Sequence, residues 1–566
     1  MNRVKRQSFI FNAIIKPVKQ QSLPPEHKWL YFFIGLAVLA NFSGLFVPLM
    51  DPDAGVYASV SKNMLLRNNY WELYFQGNDW LDKPHFPFWL TAYFFKLFGV
   101  HTWVYKLPGI LLVLIGAHYT YLLAKQLYNQ TIALWAVFIL LTAEHIIISN
   151  NDVRAEPFLT GLIIASIYHF YNSLNRKINW HLVAASFFAA CAVMTKGPFT
   201  LLPVGGAIAG ELIIKRNWKQ LFHWKWLIAL VLIGIFITPE LYSLWYQFDS
   251  HPEKIVFGKA NVSGIRFFLW DSQFGRFLNK TPMKGKGDPF FFLHTLLWAF
   301  LPWSLLMYAS LVEIIKNGSK KLNYKNEEWL TVCGSLLTLL IFSLSKFQLS
   351  YYTNIIFPLF AILTAQYIFK LRSGIFSIIQ NVITGILLVG GVLLQIFYSP
   401  SAPPLILQLI IICLLMLILI LPRLHLNKKL LAFYRVGLAS LVINLYINWF
   451  FYPDLLKYQS GSEAAFYINK KHPNIPGVVM SVYSPVFEFY LRDGWSKSDT
   501  SILYHQPEPG ILYIMQEELD FINQRGIHYE MIKELDEFHV TMLSLKFINK
   551  KTRSKELKKH YLIKLL

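Results

Sequence analysis

The feature that most constrains this chain is an alternation of charge along a ladder of apolar runs. Stretches of roughly 18–25 residues, long enough to cross a bilayer, recur through about the first 450 residues. The usual window criterion gives about 13 of them. The first runs from about Trp29 to Met50, and the rest are centred near Leu114, Ala136, Ile164, Phe187, Gly205, Val231, Ala299, Leu337, Ala361, Leu387, Ile411 and Val442. Alternate loops are basic: Arg3, Lys5, Arg6, Lys16, Lys19 and Lys28 before the first run, then Arg176 and Lys177, Lys215, Arg216, Lys219 and Lys225, Lys316, Lys320, Lys321 and Lys325, Lys370 and Arg372, and Arg423, Lys428 and Lys429. The positive-inside rule puts those loops in the cytoplasm. An odd number of spans then leaves the C-terminus on the opposite side.

The sequence thus reads as an α-helical polytopic membrane protein in three parts. Residues 1–28 form a cytoplasmic segment, 29–452 a transmembrane domain, and 453–566 a small extracytoplasmic α/β domain. In the last part, β-rich runs (GVVMSVYS, GILYIMQ, HVTMLSL) alternate with polar helical stretches. Its final residues, KKTRSKELKKHYLIKLL, read as a basic helix resting on the membrane surface. Within the first outer loop, Phe86–Phe98 is amphipathic but too short to span, which predicts a helix lying in the interface.

Composition agrees: 55% of residues are hydrophobic and 15% charged. The net charge of +21 would suggest nucleic acid in a soluble protein. Here the cations sit in short loops, where membrane insertion and anionic headgroups account for them, and no nucleic-acid partner is expected. Cys191, Cys333 and Cys413 are isolated within apolar runs, so no disulfide framework or zinc site is indicated.

The chemistry-bearing residues collect in the other loops. The first outer loop opens with Asp51, Asp53 and Tyr57 and continues to Asp82, Lys83, Pro84 and His85. Asp51 or Asp53 suits the N-cap of a helix over Pro52–Leu66. Further along come Asp152, Arg154 and Glu156, then Lys196 before Gly197 and Pro198, then Lys346 followed by Tyr351 and Tyr352. Cations on this side run against the charge bias. Lys83, Arg154, Lys196 and Lys346 together indicate an anionic ligand, phosphate first.

The ordered set DPDAGVYA, LDKPHFPFWL, RAEPFLT, MTKGP and SKFQLSYY resembles the bacterial GT-C glycosyltransferases, in particular the aminoarabinose lipid A transferases and their protein O-mannosyltransferase relatives. The resemblance covers about residues 30–370. It implies a membrane glycosyltransferase that takes a sugar from a polyprenyl-phosphate carrier and passes it to lipid A, another envelope glycan or a protein. Transfer would take place on the periplasmic face of the bacterial inner membrane. By motif position it implies Asp53 as the essential acid, Lys83 as the carrier-phosphate lysine, and Glu156 or Asp152 as a second acid. Tyr57, Asp82, Arg154, Lys196, Lys346, Tyr351 and Tyr352 are candidate substrate contacts. No cofactor is certain, and a divalent cation is left open. The chain departs from the pattern at Val56, where many relatives have Arg, at Lys284–Phe290, where relatives often carry His, and at Glu156, where Asp is commoner. A lipid-linked glycan ligase and a flippase are the alternatives. The ionisable residues within the spans (His118, Glu144, His145, His169, Glu211 and Glu240) show no two-fold repeat of the kind transporters use.

Overall fold

The computed structural model describes residues 25–174, 178–275, 277–278, 285–318, 328–372, 374–492, 494–497 and 510–566. The cations Arg3 to Lys19, Arg176, Lys177, Lys284, Lys320, Lys321 and Lys325 lie outside the described residues.

The apolar runs are helical. α1 (Pro25–Phe42) leads to α2 (Asp53–Leu66) and α3 (Phe86–Phe98). Then follow α4 (Thr102–Leu127), α5 (Gln130–Leu141), α6 (Glu144–Asn151), α7 (Ala155–Ser173), α8 (Trp180–Lys196) and α9 (Leu201–Ile214). Among the described residues six helices are long and apolar enough to cross a membrane, or seven if the bent pair α5–α6 is one span. Other runs, such as α8, α9 and Leu330–Leu344, are shorter apolar helices. The 50° bend between α5 and α6 has a local cause, because Glu144 N–H leaves the helical ladder to bond the Leu301 carbonyl at 2.8 Å.

α4 and α7 pack backbone to backbone. A Cβ on Gly161 would stand 2.1 Å from the Leu112 carbonyl oxygen, and one on Gly116 would stand 3.1 Å from Gly161 Cα. Small residues permit this approach between membrane helices, where close contact rather than water exclusion drives association. α7 also packs along α8. This stack fixes the places where α7 starts, beside Arg154, and where α8 ends, at Lys196.

α3 occupies the expected residues. It buries Pro87, Phe88, Thr91, Ala92 and Phe95 and exposes Tyr93, Leu97 and Phe98, an apolar outward face suited to the bilayer interface. Between α2 and α3 a hairpin, β1 (Tyr74–Phe75) and β2 (Asn78–Asp79), turns through Gln76 and Gly77, both at positive φ as such tight turns require.

The C-terminal domain is a five-stranded sheet of β3 (Gly477–Val479), β4 (Trp495–Lys497), β5 (Ile511–Met515), β6 (Tyr529–Glu537) and β7 (Lys558–Leu565), in the order β4-β3-β5-β7-β6. β3 runs parallel to β4 and β5, and β7 is antiparallel to β5 and β6. Alternate residues of β5 feed opposite faces. Ile511 and Tyr513 pack with Ala464, Ala465 and Ile468 of helix Ser460–Lys471, whereas Leu512 and Ile514 pack with Leu519 and Ile522 of helix Gln516–Gln524. The expected basic C-terminal helix is a strand instead. Tyr561, Leu562 and Ile563 are buried, and β7 is hydrogen-bonded on both edges, which outweighs the helix propensity of its Lys and Leu residues.

Candidate active site

Helix ends bring the site together. α2 begins at Asp53, α6 ends just before Asp152, α7 begins after Arg154, and α8 ends at Lys196. Arg154 joins two acids: Nη1 lies 2.7 Å from Asp53 Oδ2 and Nη2 lies 2.5 Å from Asp152 Oδ2. Its guanidinium lies over the Tyr351 ring, 4.4 Å from the centroid. Lys196 is ion-paired with the buried Glu156 and sits 3.6 Å from the centroid of Tyr352. Each cation therefore has a carboxylate on one side and a π face on another, and the ring contact contributes about 0.5–2 kcal/mol depending on desolvation. Asp152 Oδ1 and Arg154 Nε are buried with no hydrogen-bond partner among the described residues.

The end of α8 is set by Gly197, at φ +100°, where a Cβ would come within 2.1 Å of Gln273 Nε2. Gln273 uses that space to donate to the Lys196 carbonyl at 3.1 Å. Lys83 is ion-paired with its neighbour Asp82. Their loop is anchored by the buried His85. The His85 backbone N–H donates to Glu240 Oε2 at 2.9 Å, and its ring Nδ1 lies 3.0 Å from Glu240 Oε1.

Asp82, Lys83, Lys196, Glu240 and Tyr352 share one recess whose remaining wall is largely apolar, with Leu81, Leu159, Phe199, Phe267, Phe268 and Phe342 among its lining. It encloses about 960 Å³, its open mouth included. Asp53, Asp152, Arg154 and Tyr351 form the adjacent cluster, joined to the recess through Lys196 and the Tyr351–Tyr352 pair. Tyr57 is buried beside the cluster, near enough to Asp53, Asp82, Glu156 and Tyr351 to feel their charge, and its ring is edge-on to Trp80 and Phe88, where it braces α2 against α3. Lys346 is exposed, and its neighbours Ser345 and Phe347 line the recess in its place. Asp51 does not cap α2. Its carboxylate reaches Ser484 and Val486 of the C-terminal domain. Glu240 enters from the sequence only as an ionisable residue within a span, although the Thr238-Pro239-Glu240 helix start is a usable signal, and nothing in the sequence singles out Gln273. Among the described residues no three His, Cys, Asp or Glu side chains converge as a metal-ligand set.

The model of the dolichyl-phosphate-mannose-protein mannosyltransferase family matches residues 82–243. An undecaprenyl phosphate-alpha-4-amino-4-deoxy-L-arabinose arabinosyl transferase of Erwinia tasmaniensis is 24% identical over 349 residues, 60% of this chain and 58% of its own length. An uncharacterized protein of Aquifex aeolicus is 26% identical over 346 residues, 60% of this chain and 64% of its own length. The chain thus spans less than two thirds of these relatives. In three dimensions the ArnT of Cupriavidus metallidurans, in a crystal structure with undecaprenyl phosphate bound, superposes with a TM-score of 0.72 over 95% of this chain and 98% of its own, at 16% identity.

The chain has the GT-C fold. It resembles the aminoarabinose transferases and protein mannosyltransferases built on that fold. The family segment opens at Asp82 and takes in Lys83, Asp152, Arg154, Glu156 and Lys196, while Asp53 and the Tyr351–Tyr352 pair of this GT-C chain lie outside it.

Proposed function

We propose that the chain is a glycosyltransferase that moves a sugar from a polyprenyl-phosphate carrier to an acceptor on the outer face of the plasma membrane. Its donor is a lipid-phosphate sugar, and its acceptor is lipid A, another envelope glycan or a protein. The cytoplasmic segment is 1–28, the transmembrane domain 29–452 and the periplasmic domain 453–566, as the loop charges require.

One observation carries this reading. Two lysines, each already facing a carboxylate, stand at the polar end of an otherwise apolar recess. An anionic head on an apolar tail has that shape. In the free protein Asp82 and Glu156 give the part-buried Lys83 and Lys196 their counter-charges. A phosphate takes over those contacts when it enters.

The reaction breaks the bond between the sugar's anomeric carbon and the carrier phosphate oxygen and forms one to the acceptor oxygen. The electron pair leaves with the phosphate, and Lys83 and Lys196 stabilise that charge where the dielectric is low. If the acceptor is a hydroxyl, its proton passes to Asp53, with Glu156 as second acid. If the acceptor is a phosphate, no proton need move and Asp53 orients it. A single displacement with inversion is the simplest course, since the carrier phosphate already leaves as a stabilised anion. A flippase would gather such residues near the bilayer midplane, whereas here they gather at the ends of α2, α6, α7 and α8.

The test is Asp53→Asn in folded protein, assayed with a hydroxyl acceptor. Activity is expected to vanish. Retention within about tenfold of wild type, or about 1.4 kcal/mol in barrier, removes Asp53 from the base role.

A further inference from the structure

Helix α2 presents two faces. Asp53 serves the site and Tyr57 the aromatic contact with α3. A second set, Asp51, Gly55, Ser59, Lys62 and Asn63, recurs at helical spacing and meets residues 484–491 of the C-terminal domain at each step. Asp51 Oδ2 accepts from the Ser484 hydroxyl at 2.7 Å, and Oδ1 accepts from the Val486 N–H at 2.9 Å. A Cβ on Gly55 would lie 2.9 Å from Pro485 Cβ, so glycine is what lets the segment come this close. Ser59 donates to the Pro485 carbonyl at 3.1 Å. Lys62 Nζ donates to the carbonyls of Glu488, Phe489 and Leu491 at 3.0, 3.0 and 2.7 Å, and Asn63 donates to Glu488 Oε1 at 2.9 Å. Helix Pro485–Tyr490 is therefore held at its start by a carboxylate and at its end by an ammonium.

The same short helix joins two cores. Val486 and Phe489 pack in the core of the membrane domain, whereas Phe487 and Leu491 pack under the C-terminal sheet. Tyr490 adds a third tie. Its hydroxyl accepts from the Leu49 N–H at 2.8 Å and lies 3.0 Å from Thr102 Oγ1 at the start of α4. This short helix thus lies between the sheet domain and α2, whose first turn carries Asp53.

We propose that the C-terminal domain is a positioning element of the transfer site. Helix 485–490, gripped by Asp51 and Lys62, sets the axial position of α2 and so the place of Asp53 against Arg154. Asp51 and Lys62 are positioning residues and touch no substrate. The proposal rests on the role given to Asp53 above.

The experiment uses the full chain in lipid nanodiscs, comparing wild type, the double variant Asp51→Ala/Lys62→Met, and Asp51→Asn. Three quantities are read: transfer from a labelled undecaprenyl-phosphate sugar, binding of undecaprenyl phosphate, and hydrogen exchange over residues 53–63. The double variant should lose about tenfold or more in kcat, since misplacing a catalytic group by an ångström has effects of that size or larger. Its donor KM and its affinity for undecaprenyl phosphate should stay within about twofold, because the lysines of the recess are untouched. Exchange in the first turn of α2 should quicken. Asp51→Asn keeps an oxygen for the Val486 N–H and should recover most of the rate. Wild-type kcat in the double variant overturns the proposal, as does unchanged exchange at α2. A fall in carrier affinity that parallels the fall in kcat also overturns it, because that signals general loss of structure. If wild type itself turns over no carrier-linked sugar, the functional reading fails, and the exchange data alone decide whether helix 485–490 holds α2.

Discussion

Two regions of the membrane domain solve the same problem in opposite ways. In the helical segment Ser350–Lys370, which begins with the tyrosines of the site, 83% of the most apolar window is buried in protein. In Ile375–Tyr398 and Leu405–Arg423 the figures are 17% and 22%. The exposed pair is also the more apolar, with hydropathy 2.0 and 3.1 against 1.4. Water would make such exposure costly, but a lipid chain makes it neutral, so helices facing lipid need only be greasy. The cations of the candidate site lie within protein, each facing an acid: Arg154 between two, Lys196 against Glu156, Lys83 beside Asp82. The candidate site lies where the fold surrounds its helices with protein.

Breaking the buried side should have the largest effect. Arg154→Ala leaves Asp53 and Asp152 without the cation that joins them and bares the Tyr351 ring. Transfer should fall by about 100-fold or more, and Arg154→Lys should restore little, because a single ammonium lacks the fork that serves two carboxylates. Steady-state turnover of a labelled lipid-phosphate sugar measures this, and near-normal rates would mean that the ion cluster is only a strut.

The lysines of the recess come next. Charge-assisted contacts contribute about 1.5–3 kcal/mol, so Lys83→Ala should weaken undecaprenyl phosphate binding roughly 10–150-fold. Lys196→Ala should act on the same equilibrium. Unchanged affinity in the double variant would assign the positive charge to another purpose.

A smaller effect tests the contact between the domains. Burial pushes both Asp51 and Glu488 up to about 7. The groups facing them are Ser484, the Val486 N–H and Glu537 around Asp51, and Asn63 and Lys62 around Glu488. Between about pH 4 and 7 the folded state keeps protons that the unfolded chain has released, so these groups favour docking less as pH rises through that window. Exchange at residues 484–491, corrected for intrinsic rates, should be slower at pH 5 than at pH 8. Asp51→Asn with Glu488→Gln should flatten the difference. A reversed slope would show that the charged forms hold the contact.

The smallest effect belongs to the lipid-facing side. Ile386 and Leu419 are 65% and 72% exposed. Substituting either by Ala should change thermal stability by no more than about 0.5 kcal/mol and leave turnover untouched. A clear loss of activity would mean that these helices meet a partner and not lipid.

Much of the membrane domain was legible because its signals are local. Apolar runs and an amphipathic stretch at Phe86–Phe98 are properties of neighbouring residues. Pairings were not legible. Asp53 finds Arg154, and Lys196 finds Glu156, across long separations that only the α4–α7–α8 packing closes. Asp51 looked like a helix cap because the sequence next to it asks for one. Its real partners, Ser484 and Val486, come from the far end of the chain. The last strand was misread for a related reason. Lys and Leu favour a helix locally, and only the flanking strands β5 and β6 decide otherwise.

The most direct test places the purified protein in a bilayer with undecaprenyl phosphate carrying an isotope-labelled sugar, together with candidate lipid and protein acceptors. Label should move to an acceptor while free undecaprenyl phosphate accumulates one for one, and Asp53→Asn and Lys83→Ala should abolish or cripple both. Label that stays on the carrier while the carrier changes leaflet would contradict the account and identify a flippase.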